Sequence, residues 1–275
     1  MGISSSKKAA GIVLKNCTVW KADRSPACRS VLMALDALNL SIKEVDVNMD
    51  RDEHKAPDMI AMNSLQTLPI LKDHRSVITD SHAIMTYLAS RYGYPRFRRG
   101  YLLPRDPGDR ARIEQLMHYN SGVLQPKYRV AAYPILYNDC RHVMPQQVSD
   151  IECSYNEMEI MLGEHTWFGG TWPTLSDITL VATVSTLNIM VPIDATRFPR
   201  LSRWFQLMSK ESYYLTGNAK GLKEFSDRID RTEQSEEGGK IVDIKFPRLS
   251  SKRRSLTQAE QQGPVKSTIK MHLPF

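Results

Sequence analysis

The strongest constraint on the fold lies in the first third of the chain, where short elements are punctuated by prolines and helix-starting residues. Residues 12–20, Ile-Val-Leu-Lys-Asn-Cys-Thr-Val-Trp, form an apolar run of strand length. Ser25-Pro26 then opens a helix, with proline at the first helical position, where its missing N–H costs nothing. Val31, Leu32, Leu35 and Leu38 fall at helical spacing and give that helix one buried face. Ile42 to Val47 alternates as a second strand. A charged, irregular stretch follows, then Leu68-Pro69-Ile70-Leu71 and Val77-Ile78-Thr79 as two more short strands. Asp80-Ser81 starts a helix that ends at Tyr92-Gly93.

Strand, helix, strand, short helix, strand, strand, helix is the element order of a thioredoxin-like α/β fold, a mixed sheet covered by helices. That domain is expected over residues 12–93, behind a Ser-rich basic arm at 1–11. The Pro/Gly-punctuated stretch 94–104 reads as a linker. Residues 105–230 read as helices throughout, an all-helical second domain in which 109–123 and 175–190 stand out. Beyond 231 the apolar periodicity stops, and 231–275 has the composition of a disordered basic tail.

A net charge of +7 raises the question of a nucleic-acid partner. Residues 231–275 hold nine Lys/Arg against five Asp/Glu, and Lys7 and Lys8 lie at the other end. The body is therefore near neutral and lacks the basic face that nucleic-acid binding needs. No apolar run approaches the roughly 20 residues of a membrane span, and the first residues lack the apolar stretch of a secretory signal. Cys17, Cys28, Cys140 and Cys153 are too few and too irregularly spaced for a disulfide framework or a zinc site. The histidines show no metal-ligand spacing. A cytoplasmic, reducing location with no metal is the expectation.

Three segments carry candidate chemistry. Ser25 sits where strand turns to helix, beside free backbone N–H groups and the partial positive charge that favours an anion. A hydroxyl there can donate to a thiolate and stabilise it; a plain helix cap is the alternative. Ser25-Pro26-Ala27-Cys28 also has the shape of a Cys-Pro-x-Cys redox motif, but serine in the first position removes dithiol exchange and leaves Cys28 as a buried small hydrophobe. Pro69 before a short strand exposes the Leu68 backbone to an extended peptide, or is an ordinary edge proline. Asp80 suits an ammonium and Ser81 a carboxylate, or the two simply cap a helix. Thr174 to Asp177 is a capping box with a structural role.

Taken in order, Ser25-Pro26-Ala27-Cys28-Arg29-Ser30, Glu53 to Pro57, Asn63 to Pro69, Asp80 to Met85, Ser121 to Leu124 and Thr174 to Asp177 resemble the insect epsilon/delta glutathione transferases over residues 13–228. The resemblance implies a homodimeric enzyme that activates the thiol of glutathione toward hydrophobic electrophiles. It implies Ser25 as the catalytic serine, with glutathione bound by His54, Gln66, Leu68, Asp80, Ser81, His82 and Arg129. Gln125 and Tyr128 are the substrate-side candidates. Gln66 stands where the family usually has a histidine, which makes one contact to the glycyl carboxylate neutral. Asp23 to Pro26, the run 187–192 and Phe198 to Phe205 are similar to the noppera-bo subgroup, linked to ecdysteroid synthesis. Tyr128, however, replaces the aspartate expected there. A glutathione-liganded carrier and a non-catalytic interaction module are the alternatives.

Met1-Gly2-Ile3-Ser4-Ser5-Ser6 matches the N-myristoylation pattern, with Lys7-Lys8 beyond it. Acylation of Gly2 would tether part of the protein to a membrane; an extension that merely matches the pattern is the other reading.

Overall fold

The computed structural model describes residues 11–93, 102–137 and 142–234. Gly2, the arm up to residue 10 and everything beyond 234 lie outside the described residues, as does most of the linker.

The first half contains β1 (Ile12–Lys21), α1 (Pro26–Ala37), β2 (Leu40–Asp46), two 3₁₀ turns (Met49–Arg51 and Glu53–Lys55), α2 (Pro57–Met62), β3 (Ile70–Asp73), β4 (Ser76–Thr79) and α3 (Ser81–Tyr92). The sheet order is β2-β1-β3-β4, with β1 parallel to β2 and the other pairs antiparallel. This is the mixed, thioredoxin-like sheet that the element order implies. The second strand spans Leu40–Asp46 rather than 42–47, because its register against β1 begins at Ile12↔Leu40.

Eight further elements follow: α4 (Pro107–Tyr119), a π-helical turn (Asn120–Leu124), α5 (Gln125–Tyr137), α6 (Pro145–Leu162), α7 (Leu175–Met190), α8 (Pro199–Met208), α9 (Ser212–Gly217) and α10 (Ala219–Gln234). The helix expected over 109–123 is thus longer at both ends and passes through a π turn. At the end of the linker stretch, Leu102 and Leu103 are buried, and Leu102 accepts a hydrogen bond from the Leu175 N–H at 2.9 Å.

The core is organised around α7, in which every residue from Leu175 to Leu187 is buried. A helix apolar on all sides belongs at the centre of a bundle, yet this one also carries hydroxyls that need partners. Each partner arrives from a different element. Thr179 Oγ1 accepts from Asn120 at 3.0 Å, Thr183 from Gln125 at 2.9 Å, and Ser185 from Asn218 at 3.2 Å. Thr186 Oγ1 accepts from Arg29. The start of α7 is fixed by Asp177, which reaches back to the Thr174 N–H at 2.9 Å, as a capping box requires. It also accepts from the Phe168 and Gly169 N–H groups and from the Trp204 indole.

Candidate active site

Strand register brings the candidate segments to one end of the sheet. Trp20 pairs with both Val45 and Ile70, and Ile70 pairs with Thr79. The chain therefore leaves β1 toward Ser25, leaves β2 toward His54, enters β3 through Leu68-Pro69 and leaves β4 into Asp80-Ser81, all at the same edge. The Leu68-Pro69 peptide is cis.

Ser25 is the N-cap of α1. Its extended backbone (φ −74°, ψ 123°) turns the side chain onto the first helical turn, where Oγ lies 3.5 Å from the Cys28 N–H. The turn is closed by a Ser25 N–H to Ala22 C=O bond of 2.9 Å, and Ser25 remains partly accessible. Three residues on, Cys28 is sealed, and burial pushes its thiol up to about 11. A thiol held that high is protonated at neutral pH and cannot serve as a nucleophile. Arg29 is also fully buried and, among the described residues, binds only neutral groups: Asn218 Oδ1 at 2.7 Å, Ser185 Oγ, Thr186 Oγ1 and the Ala182 carbonyl. Burial draws its guanidinium down to about 10, which still leaves it charged at neutral pH.

Asp80 caps α3 through Oδ1, which accepts from the His82 N–H at 2.9 Å and the Ala83 N–H at 3.1 Å. Its backbone is held at φ 73°, ψ 126°, a conformation that costs a non-glycine residue on the order of 1–3 kcal/mol and clusters at functional sites. Ser81 beside it is buried. Gln66 is exposed and also has a left-handed backbone, φ 55°, within a turn that Asn63 ties to Thr67 through its amide at 2.9 Å. His54 lies in the second 3₁₀ turn, and its Nδ1 is buried without a hydrogen-bond partner among the described residues.

Three of the remaining candidates, His82, Gln125 and Tyr128, have their side chains engaged within the protein. His82 turns its Nε2 into the protein, 2.7 Å from Thr179 Oγ1 and 3.2 Å from Asn120 Nδ2, and burial lowers its pKa. It braces α3 against the helices. Gln125 donates to Thr183. Tyr128 is 5% exposed, its ring against Phe225 and Tyr133. Arg129, next to it on α5, is exposed. Tyr133 and Tyr137, edge to face at 5.6 Å, face a cleft. Together with Leu136 and Arg228 they oppose Met49, Asp50 and His54 across a cavity of about 520 Å³. The sequence signal for this pair is an aromatic repeat at i and i+4 on a helix.

Among the described residues no group of three or more His, Cys, Asp or Glu is placed to hold a metal, and no helix is long and apolar enough to cross a membrane.

Residues 20–96 match the family model "Glutathione S-transferase, N-terminal domain". Glutathione S-transferase 1 of Manduca sexta is 36% identical over 206 residues, covering 74% of this chain and 93% of its own length. The chain belongs to the glutathione S-transferase family. Solved structures similar to this transferase include an epsilon-class enzyme from the housefly Musca domestica, 30% identical, with a TM-score of 0.75 over 78% of this chain and 98% of its own. A glutathione transferase homologue from Drosophila mojavensis with bound glutathione is 30% identical, with a TM-score of 0.75 over 79% and 97%. A delta-class transferase from Nilaparvata lugens is 25% identical, with a TM-score of 0.72 over 78% and 99%. The fold of this transferase is thus that of the insect epsilon and delta enzymes.

Proposed function

We propose that this transferase activates glutathione through Ser25 and delivers the sulfur to a hydrophobic electrophile held against Tyr133 and Tyr137. The observation that carries the reading is the register that sets Ser25, His54, Leu68 and Asp80-Ser81 at one end of the sheet. Ser25 donates its hydroxyl to the sulfur, and the N-terminus of α1 adds its dipole. The Leu68 backbone pairs with the cysteinyl unit as an added strand would. Asp80 takes the γ-glutamyl ammonium through its second oxygen, and Ser81 takes the carboxylate beside it. His54 and Gln66 meet the glycyl carboxylate, with Arg129 above the pocket. His82, Gln125 and Tyr128 act behind these groups, by holding the helices that carry them.

With a chlorinated aromatic acceptor the sulfur–carbon bond forms as chloride leaves with the carbon–chlorine electron pair, and the thiol proton passes to solvent. A charge-assisted hydrogen bond to sulfur is worth about 1.5–3 kcal/mol, so Ser25→Ala loses at least about tenfold in turnover while glutathione still binds. Equal rates for wild type and variant would remove Ser25 from the mechanism. Gln66, a neutral residue at the glycyl end, favours a second reading as a glutathione-liganded carrier; binding without turnover in the wild type would select it.

The enzyme acts as a cytoplasmic homodimer, with steroid-like molecules among its acceptors and a membrane-tethered fraction through acylated Gly2. Intact-mass measurement on protein from native tissue decides the last point: an unacylated N-terminus ends it.

A further inference from the structure

The turn that carries Ser25 is fastened by residues at the start of α10, 197 residues on. Asp23, two residues before Ser25, is nearly buried; its Oδ1 meets Lys21 Nζ at 2.5 Å and its Oδ2 meets Lys220 Nζ at 2.7 Å. The next residue of α10, Gly221, lies so close that a Cβ there would fall 1.9 Å from the Asp23 carbonyl oxygen and 2.9 Å from Arg29 Cδ. One residue before α10, Asn218 holds Arg29. Side-chain charge, backbone contact and a buried hydrogen bond therefore all dock the start of α10 on the strand-to-helix turn.

We propose that Lys220 and Gly221 are positioning residues for the transferase reaction, setting the place and the electrostatics of the Ser25 turn. The inference rests on Ser25 being the thiolate donor. Two physical effects support it. The Ser25 N–H to Ala22 bond makes the turn a closed unit, so displacement of the Asp23 carbonyl moves the Ser25 hydroxyl with it. Asp23 also places a carboxylate on the same turn as the thiolate, where like charge disfavours ionisation of the thiol, and Lys220 offsets it. Other charges facing this pair are Lys21, Glu44 and Asp46 from the strands and Arg29 from α1. Glu224 lies 3.8 Å from Lys220 on α10, and the Cys28 thiol is neutral. Burial alone would push the Asp23 carboxyl up, but Lys21 and Lys220 hold it below the usual range.

The Lys220 side chain is 69% exposed, so its pair with Asp23 adds little to stability, and removing it tests function apart from folding. The experiment compares wild type, Lys220→Met, Lys220→Arg, Gly221→Ala and Ser25→Ala in glutathione conjugation across pH. Lys223→Met is the charge control, since Lys223 pairs within α10 with Asp227. Lys220→Met should lose about fivefold in kcat/KM at and below neutral pH. The loss should vanish in alkali, where the thiol ionises unaided, and Lys220→Arg should restore the wild-type profile. Gly221→Ala should lower kcat at every pH; if it does not fold, Lys220→Met carries the test. Lys223→Met should match wild type. If Ser25→Ala is impaired while Lys220→Met equals wild type, or loses activity equally at all pH, the positioning role is wrong and the Ser25 reading stands. Wild-type rates in Ser25→Ala would instead overturn the Ser25 reading, and this inference with it.

Discussion

Removing the carboxylate of Asp177 should be among the most damaging single changes in the helical half. Asp177 is fully buried, and its two oxygens serve five donors. Oδ1 accepts from Phe168 N–H at 2.8 Å and Trp204 Nε1 at 3.0 Å; Oδ2 accepts from Thr174 N–H at 2.9 Å, Gly169 N–H at 3.1 Å and the Thr174 hydroxyl at 3.1 Å. In Asp177→Ala the hydroxyl can turn elsewhere, but four N–H donors lose their acceptor. Each buried unsatisfied donor costs about 1–3 kcal/mol. Water entering the void and relief of the buried charge return part of that, so the net loss should be about 3–5 kcal/mol. Asp177→Asn keeps the shape but sets an amide NH₂ against one pair of donors, and should lose roughly half as much or more. Urea unfolding followed by tryptophan fluorescence measures both, since Trp204 reports on the site. The expected result is a lower midpoint at unchanged slope. A loss below about 1 kcal/mol for Asp177→Ala would show that these bonds do not hold the start of α7.

Other outcomes follow from buried groups. Cys17 and Cys28 are both sealed, with thiols raised to about 11, whereas Cys153 is exposed. Brief alkylation of the native protein at about pH 8 should label Cys153 and spare Cys17 and Cys28; peptide mapping that finds Cys28 modified would contradict the sealed first turn of α1. Asp73 is buried under Tyr87 at 2.7 Å, Tyr92 at 2.5 Å and His74 at 2.7 Å. Burial alone would push its carboxyl up, but these bonds win and hold it below the usual range. Its contribution is present above the unfolded carboxylate value of about 4 and is lost as pH falls through the lower folded value. Asp73→Asn should cost about 2–3 kcal/mol at pH 7, and the gap to wild type should close on acidification; a gap independent of pH would show that the charge is not what these groups bind.

Local chemistry was legible in the sequence wherever one segment decided it. Ser25-Pro26 announced the start of α1, the run from Leu175 to Met190 announced α7, and Thr174 with Asp177 announced its cap. The π turn at Asn120–Leu124 was not legible, because an apolar repeat registers a helix without registering one extra residue in a turn. The direction of His82 was hidden too: its neighbours in a sequence motif implied a ligand, whereas Thr179, 97 residues away, takes its ring. The facing of α5 was hidden as well: Tyr128 is buried, whereas Tyr133 and Tyr137 on the same helix are exposed. Hardest of all was the seat of the Ser25 turn. Asp23 and Lys220 are 197 residues apart, and no periodicity links them.

Arg29 has a consequence for any attempt to take this protein apart. Its charge belongs to α1, but every group that satisfies it comes from α7 or the junction of α9 and α10. A thioredoxin-like half produced alone would leave that guanidinium exposed on what should be an apolar face. A chimera that borrowed its helical half from another enzyme would have to import Thr186 and Asn218, or their equivalents, together with it. The two halves are modular in topology only; in wiring they are one piece.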